Sequence, residues 1–590
     1  VPFLGIGSSV GLPNAPVNVW ILAIPYALSS DPQLATQFIA FMNVLSVGFV
    51  YLMGRRYGGP WVGLFAALIY AANPWAVIFS RKIWAQNMLP VFVLATVASG
   101  LIGFLEGRRW AQILHFPLLA LTGQIHYGAF VIIPVTGVLL IAGRQLTHWR
   151  VLGIGVLLAG AVTLPYAVGM NNAGLNTPSA IRAAINATPE AESPQEVITD
   201  ASVRGAAIVF SGADLHSLAG PQQFQAYLDQ VPAVYPLFYI LPLLLCLSLV
   251  WLLVDMFHFG KNKRFWLYST LIVWVLFPIV IYTITWTTFF IHYHIPAHAG
   301  GYLLIAFALQ SFSQSAGRLK HIQPLLTSFF LIVAGIYLLL WGQLLQFVDD
   351  RYTPNGFGTP LHYLGDVRSF ISSQSDQPGR SVIASVGGQS IGIDDEPTIW
   401  KALLFDVGSV QFEDTNARIY PATDAILLDQ SCEGMGTVFT LRERNNTCYR
   451  VSTRSQDDLD LSGYTQIDAS VGSTRFANGA EIIAYQWDAQ QCLDIVWRVH
   501  AVTEIDYSFA VQFLDGQGEL VASGDGPALQ GANWRMDDQI SQRFCVQMDQ
   551  ESIEAVRLGM YTFDGTNFSN VDLINESGDA VGQQFTLEDL

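Results

Sequence analysis

The chain has 590 residues, 52% hydrophobic and only 13% charged, with a mean hydropathy of +0.38, a profile that excludes both an ordinary soluble globular protein and a disordered one. Residues 1 to 346 carry 15 Lys and Arg against 9 Asp and Glu, a net of +6, whereas residues 347 to 590 carry 14 against 37, a net of −23. A slightly basic membrane part therefore precedes an acidic, water-soluble part, and the acidity disfavours nucleic acid as a partner.

In chain order, Val1-Pro2-Phe3 shows no basic region or cleavage site of a signal peptide, and Gly5 to Pro16 read as the middle of a loop, so a membrane helix is expected upstream. Val17 to Leu28 is too short to span comfortably and reads as an interfacial helix ending before Asp31-Pro32. A spanning helix needs about 20 apolar residues. Candidates fall at 34–53, 61–79, 89–105, 111–125, 127–143, 151–170, 233–256, 266–289, 301–315 and 325–346. The pairs Arg55-Arg56, Arg108-Arg109, Arg144 to Arg150, Lys261-Lys263-Arg264 and Arg318-Lys320 occupy alternate loops, which the positive-inside rule makes cytoplasmic. The segments 80–90, 126–127, 170–232, 290–300 and everything after Phe347 then lie outside. Loop 170–232 is far longer than a connector requires, and its helical patches Ile181 to Ala187 and Gln222 to Leu228 read as surface helices over a membrane-level cavity.

After the last span, 347–455 predicts a small α/β domain: a helical stretch from Leu361, strand Ser381 to Ser385, a helix near Thr398 to Phe405 and strand Ala425 to Leu428. Residues 456–590 predict a β-sandwich, with short alternating runs at Glu481–Gln486, Asp494–Val502, Tyr507–Leu514, Arg543–Met548 and Ala555–Thr562, two of them joined by Asp515-Gly516-Gln517-Gly518. The fold class is thus a polytopic α-helical membrane domain followed by a soluble extracytoplasmic part. Of five cysteines, four fall in the acidic part, which points to disulfides and an oxidising compartment. Cys432 with Cys448 and Cys492 with Cys545 is the expected pairing of three possible.

Chemistry is read first at Ser80-Arg81-Lys82-Ile83-Trp84-Ala85-Gln86-Asn87, a cationic pair on the face where Arg and Lys are under-represented. Such a pair suits a phosphate held at the interface, and Trp84, Gln86 and Asn87 offer a plate and amides for a sugar. The bland alternative is snorkelling to head-group phosphates. In the outer segment Phe290 to Gly301, His292, Tyr293, His294 and His298 recur without an adjoining carboxylate, which argues against a metal and for hydrogen bonds to phosphate or hydroxyl groups, or for an interfacial anchor. His126-Tyr127 falls on the same face and is a candidate lining of the same cavity.

The order Pro13-Asn14-Ala15-Pro16, Gly54-Arg55-Arg56-Tyr57-Gly58, Ala71-Ala72-Asn73-Pro74-Trp75, Ser80-Arg81-Lys82-Ile83-Trp84 and Tyr293-His294-Ile295-Pro296 resembles the GT-C glycosyltransferases, closest to their protein O-mannosyltransferase and aminoarabinose-transferase-like group. The stretches 506–515, Gly524-Asp525-Gly526-Pro527 and Leu558-Gly559-Met560-Tyr561 resemble the β-sandwich of some bacterial members. The resemblance implies a bacterial plasma-membrane enzyme that moves a sugar from a polyprenyl-phosphate donor to a glycan, lipid or protein acceptor on the outer side, usually with inversion. It also implies a catalytic Asp after helix one, expected here upstream of Val1, because Asp31 is the first acid in the chain and follows the proline segment. The family's basic outer-loop residue maps onto Arg81, and amides Gln86 and Asn87 stand where protein mannosyltransferases often have an acid. Competing readings are a transporter or flippase, for which the sequence shows no internal repeat, and a non-catalytic envelope scaffold.

Overall fold

The computed structural model describes residues 2–7, 12–186, 200–212, 221–230, 239–259, 262–284, 289–315, 322–351, 353, 357–375, 380–440, 448–467, 472–488, 492–546, 553–563 and 567–588. The chain divides into two compact units, residues 1–349 with 353–358, and residues 350–352 with 359–590.

The first unit is helical: α1 (Val17–Leu28), α2 (Pro32–Gly58), α3 (Pro60–Ala72), α4 (Pro74–Phe79), α5 (Leu89–Gly100), α6 (Arg109–Ile125), α7 (Ile133–Ala142) and α8 (Trp149–Asn172), followed by helices Ala201–Ser211, Ile240–Phe259, Lys263–Ile284, Ile295–Ser315 and Ile322–Asp350, among others. Seven helices among the described residues are long and apolar enough to cross a membrane. The ten runs read from composition exceed that number by three: the run at 111–125 is α6, with 17 residues, and the other two are interrupted locally. The predicted span 61–79 breaks at Asn73-Pro74, where Asn73 caps α4 by accepting from Trp75 N at 2.9 Å and Pro74 takes the first helical position. The predicted 127–143 opens as a 3₁₀ turn, Tyr127–Ile132, before α7.

Burial sorts these helices. Ile295 to Ala308 is buried without interruption, which makes that helix the centre of the unit. Its Gly300 and Gly301 leave no room for a side chain, since a Cβ would stand 2.8 Å from the Trp274 ring and 2.1 Å from that of Phe210. By contrast, α8 exposes Ile154, Val156, Leu157, Leu158 and Leu164, and helix Ile240–Phe259 exposes Leu243, Leu247, Val250 and Val254. Apolar faces turned outward on helices long enough to span are lipid-facing surfaces. Between α5, α6 and α7 a buried polar chain ties the bundle together: Thr96 to Thr122 at 3.0 Å, Ser99 to His115 at 3.2 Å and His115 to Thr136 at 3.0 Å. Such interhelical bonds hold where helix association gains little from apolar burial.

Two expectations for the outer segments change. The run 170–232 contains, besides Pro178–Asn186 and Pro221–Gln230, a third helix, Ala201–Ser211, whose Ala206, Val209 and Phe210 are buried; Ala187 and much of the rest lie outside the described residues. The helix expected at 301–315 starts six residues earlier, at Ile295, after a 3₁₀ turn Ile291–His294, so His298 belongs to a helix and not to a loop.

In the second unit, β1 (Val382–Ser385) lies parallel to β2 (Val410–Glu413) and β4 (Ala425–Asp429), and β6 (Cys448–Arg454) and β5 (Thr437–Thr440) extend the sheet antiparallel in the order β2-β1-β4-β6-β5. Helices Leu361–Ser375 and Asp395–Leu403 pack on it through Leu364, Val367, Ile371 and Trp400. The sandwich faces a sheet built on β10 (Ser508–Leu514) and β14 (Ala555–Phe563) with another containing β13 (Gln539–Cys545), β9 (Cys492–Val499) and β8 (Ala480–Trp487). Trp497, Phe509, Trp534, Phe544 and Leu558 fill its core. The separation expected at 455/456 is not a clean boundary. Strand β3 (Ala417–Tyr420) joins the sandwich by pairing with β13, and Ile383 and Leu427 enter its core. Both expected disulfides are present, Cys432–Cys448 and Cys492–Cys545, the second joining the paired ends of β9 and β13.

Candidate functional site

The loop 80–84 exists because α4 ends at Ser80 and the chain cannot resume a helix until the 3₁₀ turn Ala85–Met88. Asn87 closes it: its side chain donates to the Lys82 carbonyl at 3.0 Å, while Asn43 of α2 donates to the Asn87 carbonyl at 2.9 Å. Arg81, Lys82, Ile83 and Trp84 are left exposed. Neither Arg81 nor Lys82 forms an ion pair with another described residue. The Arg81 guanidinium stands 5.7 Å from the centre of the Trp341 ring, a contact that orients it without neutralising it. Protein atoms displace water from around the Lys82 ammonium and lower its pKa from the usual lysine value. A cation partly stripped of water gains more from an anionic ligand than a fully hydrated one does.

Next to this loop, rings converge from three separate segments. Trp84 meets His292 edge to face at 4.7 Å, His292 stands 5.5 Å from His126, and Tyr293 lies 5.9 Å from His126. Phe290 stacks on His292 at 5.5 Å, and Tyr282 stacks on Tyr293 at 5.0 Å. His126 accepts from the Gly128 N–H at 3.1 Å through Nδ1, which leaves Nε2 as its donor. The cluster thus presents exposed cations, an exposed indole and two half-buried imidazoles, a set able to hold a phosphate and stack against a sugar.

The other residues singled out in the sequence do different work. Gln86 and Asn87 are buried, so Asn87 shapes the loop instead of offering its amide at the surface. Tyr127 donates to the Pro13 carbonyl at 2.8 Å and bonds to Tyr166, anchoring the proline segment to α8. His294 is fully buried, with Nε2 2.8 Å from the Ser202 carbonyl. His298 is buried too, 3.3 Å from the Tyr302 hydroxyl, which in turn donates to the Phe210 carbonyl at 3.0 Å and receives from Asn73 at 2.7 Å. Of the three histidines only His292 faces the loop. Asp31, the first acid of the chain, caps α2 by accepting from Gln33 N at 2.8 Å. Among the described residues no group of His, Cys, Asp and Glu has the arrangement of a metal site.

Helix Ala201–Ser211 was missed as part of the site's support. Ser202 donates to the Ile279 carbonyl at 2.9 Å, and the carbonyls of Phe210 and Ser211 receive hydrogen bonds from Tyr302 and Tyr337. The only sequence signal was the apolar spacing of Ala206, Val209 and Phe210, too short a pattern to stand out inside a long polar segment.

Residues 13–168 match the family model for dolichyl-phosphate-mannose-protein mannosyltransferase. That segment holds α1 to α7, most of α8, the 80–84 loop and His126. No curated protein matches the chain. Among solved structures, ArnT from Cupriavidus metallidurans in the apo state overlaps at 13% identity over 74% of this chain and 87% of that one, with a TM-score of 0.41. The same protein bound to undecaprenyl phosphate overlaps at 14% identity, with the same coverage and score. Arabinosyltransferase EmbB from Mycobacterium smegmatis overlaps at 13% identity over 97% of this chain and 59% of that one, with a TM-score of 0.28.

Proposed function

We propose that the protein transfers a sugar from a polyprenyl-phosphate donor to a glycan, lipid or protein acceptor on the outer side of a bacterial plasma membrane, and that the 80–84 loop with His126, His292 and Tyr293 holds the donor. The observation that carries this reading is the exposed Arg81-Lys82, without an ion pair among the described residues, beside a Trp84–His292–His126 ring cluster of which Trp84 and His126 fall in the segment that the family model matches. As the bond from sugar to phosphate breaks, negative charge grows on the departing phosphate. A fixed guanidinium there lowers the barrier more than it tightens donor binding. Trp84 provides an apolar face for the sugar, and the neutral imidazoles supply hydrogen-bond donors without adding charge. Asp31 is engaged as the cap of α2. The test is sugar transfer by Arg81→Ala at saturating donor: the expected loss is about 100-fold in turnover, and near-normal turnover removes Arg81 from the site.

A further inference from the structure

A cavity of about 640 Å³ lies at the other end of the spanning helices, and its lining shares no residue with the Arg81 loop or the ring cluster. The run Ala85–Leu105 leaves the Arg81 loop and ends beside Glu106, and the run Ile291–Ser315 holds His292 in its first turn and reaches Gln310 in its last turns. Some twenty residues at about 1.5 Å each cross the hydrocarbon, so this cavity and the Arg81 loop face opposite sides of the membrane. Its size falls within the range of small-molecule sites, roughly 300–1,000 Å³.

Its charges do not cancel. Glu106 is committed to Arg56, at 2.6 and 2.7 Å, and to the Tyr57 hydroxyl at 2.8 Å. Arg264 in the wall is likewise committed, donating to the Tyr268 hydroxyl at 2.7 Å and standing 3.6 Å from Asp255. Arg108 and Lys263, both exposed, line the cavity and form no ion pair among the described residues. Each also stands at the start of a helix, Arg108 at the cap of α6 and Lys263 at the first residue of Lys263–Ile284. A helix start already carries partial positive charge, so cations there are unfavourable unless an anion joins them. In the same wall the Gln310 Oε1 is buried and has no hydrogen-bond partner among the described residues, a cost that a ligand hydroxyl would remove. Leu267 and Phe307 add an apolar surface.

We propose that this cavity binds the head group of an anionic amphiphile bearing a phosphate and a hydroxyl. Arg108 and Lys263 hold the phosphate, Gln310 Oε1 accepts from the hydroxyl, and Leu267 and Phe307 pack against the first methylenes. General attraction of cytoplasmic Arg and Lys to a bilayer surface accounts for the charges but not for a cavity with an unmet carbonyl inside it.

The test uses the full chain purified in detergent, with phosphatidylglycerol or phosphatidylcholine added and retention read by native mass spectrometry. Wild type and Arg81→Ala are expected to retain phosphatidylglycerol in preference to phosphatidylcholine, and the double variant Arg108→Gln/Lys263→Gln to retain it at least about tenfold less. An unchanged thermal midpoint of the double variant without added lipid shows that it is folded; should it be unstable, Gln310→Met, which keeps both cations, is expected to lose the preference for phosphatidylglycerol over phosphatidate. A parallel arm adds inorganic phosphate alone. A thermal shift in wild type that vanishes in the double variant supports the phosphate site and assigns it a soluble source. Equal phosphatidylglycerol retention by wild type and the double variant overturns the proposal, as does a loss that follows Arg81→Ala instead.

Discussion

Within seven residues the chain puts histidine to two uses. The ring of His292 stands half open among Trp84, His126 and Phe290, whereas the rings of His294 and His298 are buried and bonded to the Ser202 carbonyl and the Tyr302 hydroxyl. The backbone accounts for the difference. His292 and His294 share a 3₁₀ turn at the mouth of the bundle, but His294 stands on its inner side against Ser202, and His298 sits one turn inside the central helix, on the side covered by Tyr70 and Phe210. Residue type and spacing are therefore a poor guide to which of these neighbouring histidines stays accessible; the side of the turn or helix on which each ring stands decides it.

The comparison yields opposite expectations for opposite faces. The largest effect belongs to Arg81: Arg81→Ala should lower turnover about 100-fold while leaving the thermal midpoint in place, and Arg81→Lys should recover only part of it, because an ammonium lacks the planar fork of a guanidinium. His298→Ala should do the reverse, destabilising the helical unit by roughly 2–4 kcal/mol through a cavity and a lost hydrogen bond, seen as a fall in the thermal midpoint. His292→Ala should keep that midpoint and lower transfer by about tenfold, the cost of one donor to a charged group; if it melts early instead, the distinction between the two histidines fails. Asn73→Ala removes an N-cap together with bonds to Tyr302 and the Val209 carbonyl, and should cost about 1–2 kcal/mol.

The smallest effect lies in the second unit and concerns pH. Burial raises the pKa of Glu396, whose carboxylate accepts from the Tyr449 hydroxyl at 2.8 Å. A carboxyl with a raised folded-state pKa contributes stability that is fully present below its unfolded value and is lost as pH rises through the folded one. Glu396→Gln should therefore flatten the stability profile over the pH range just above 4.5, read by fluorescence of the buried Trp400 that packs on Tyr449.

Much of the architecture could be read from residues alone because apolar length and charge alternation are strong local signals. The runs at 34–53, 151–170 and 325–346 correspond to α2, α8 and helix Ile322–Asp350 with ends moved by a few residues, and the strands at 481–486, 507–514 and 555–562 recur with similarly small shifts. What escaped depended on partners distant in sequence. Gly300-Gly301 reads as a loop until Trp274 and Phe210 are seen to need the space. Asn87 looks like a sugar ligand until Asn43, 44 residues away, is found holding its carbonyl. The break at Asn73-Pro74 was legible, since an amide cap followed by proline is a helix-start signal, but an apolar run masked it. In the site itself Arg81, Lys82 and Trp84 are exposed as their position suggested. Gln86, Asn87, His294 and His298 are not, and no pattern within the segment distinguishes the two sets.

The central claim is that the loop 80–84 and the turn 290–293 grip the phosphate of an isoprenoid carrier. Photo-crosslinking of the purified full chain with a diazirine-bearing polyprenyl phosphate, mapped by peptide mass spectrometry, tests it directly. Label on the peptides containing Trp84 and His292, reduced in Arg81→Ala, is the result predicted; absence of label from both peptides in the wild type would contradict it.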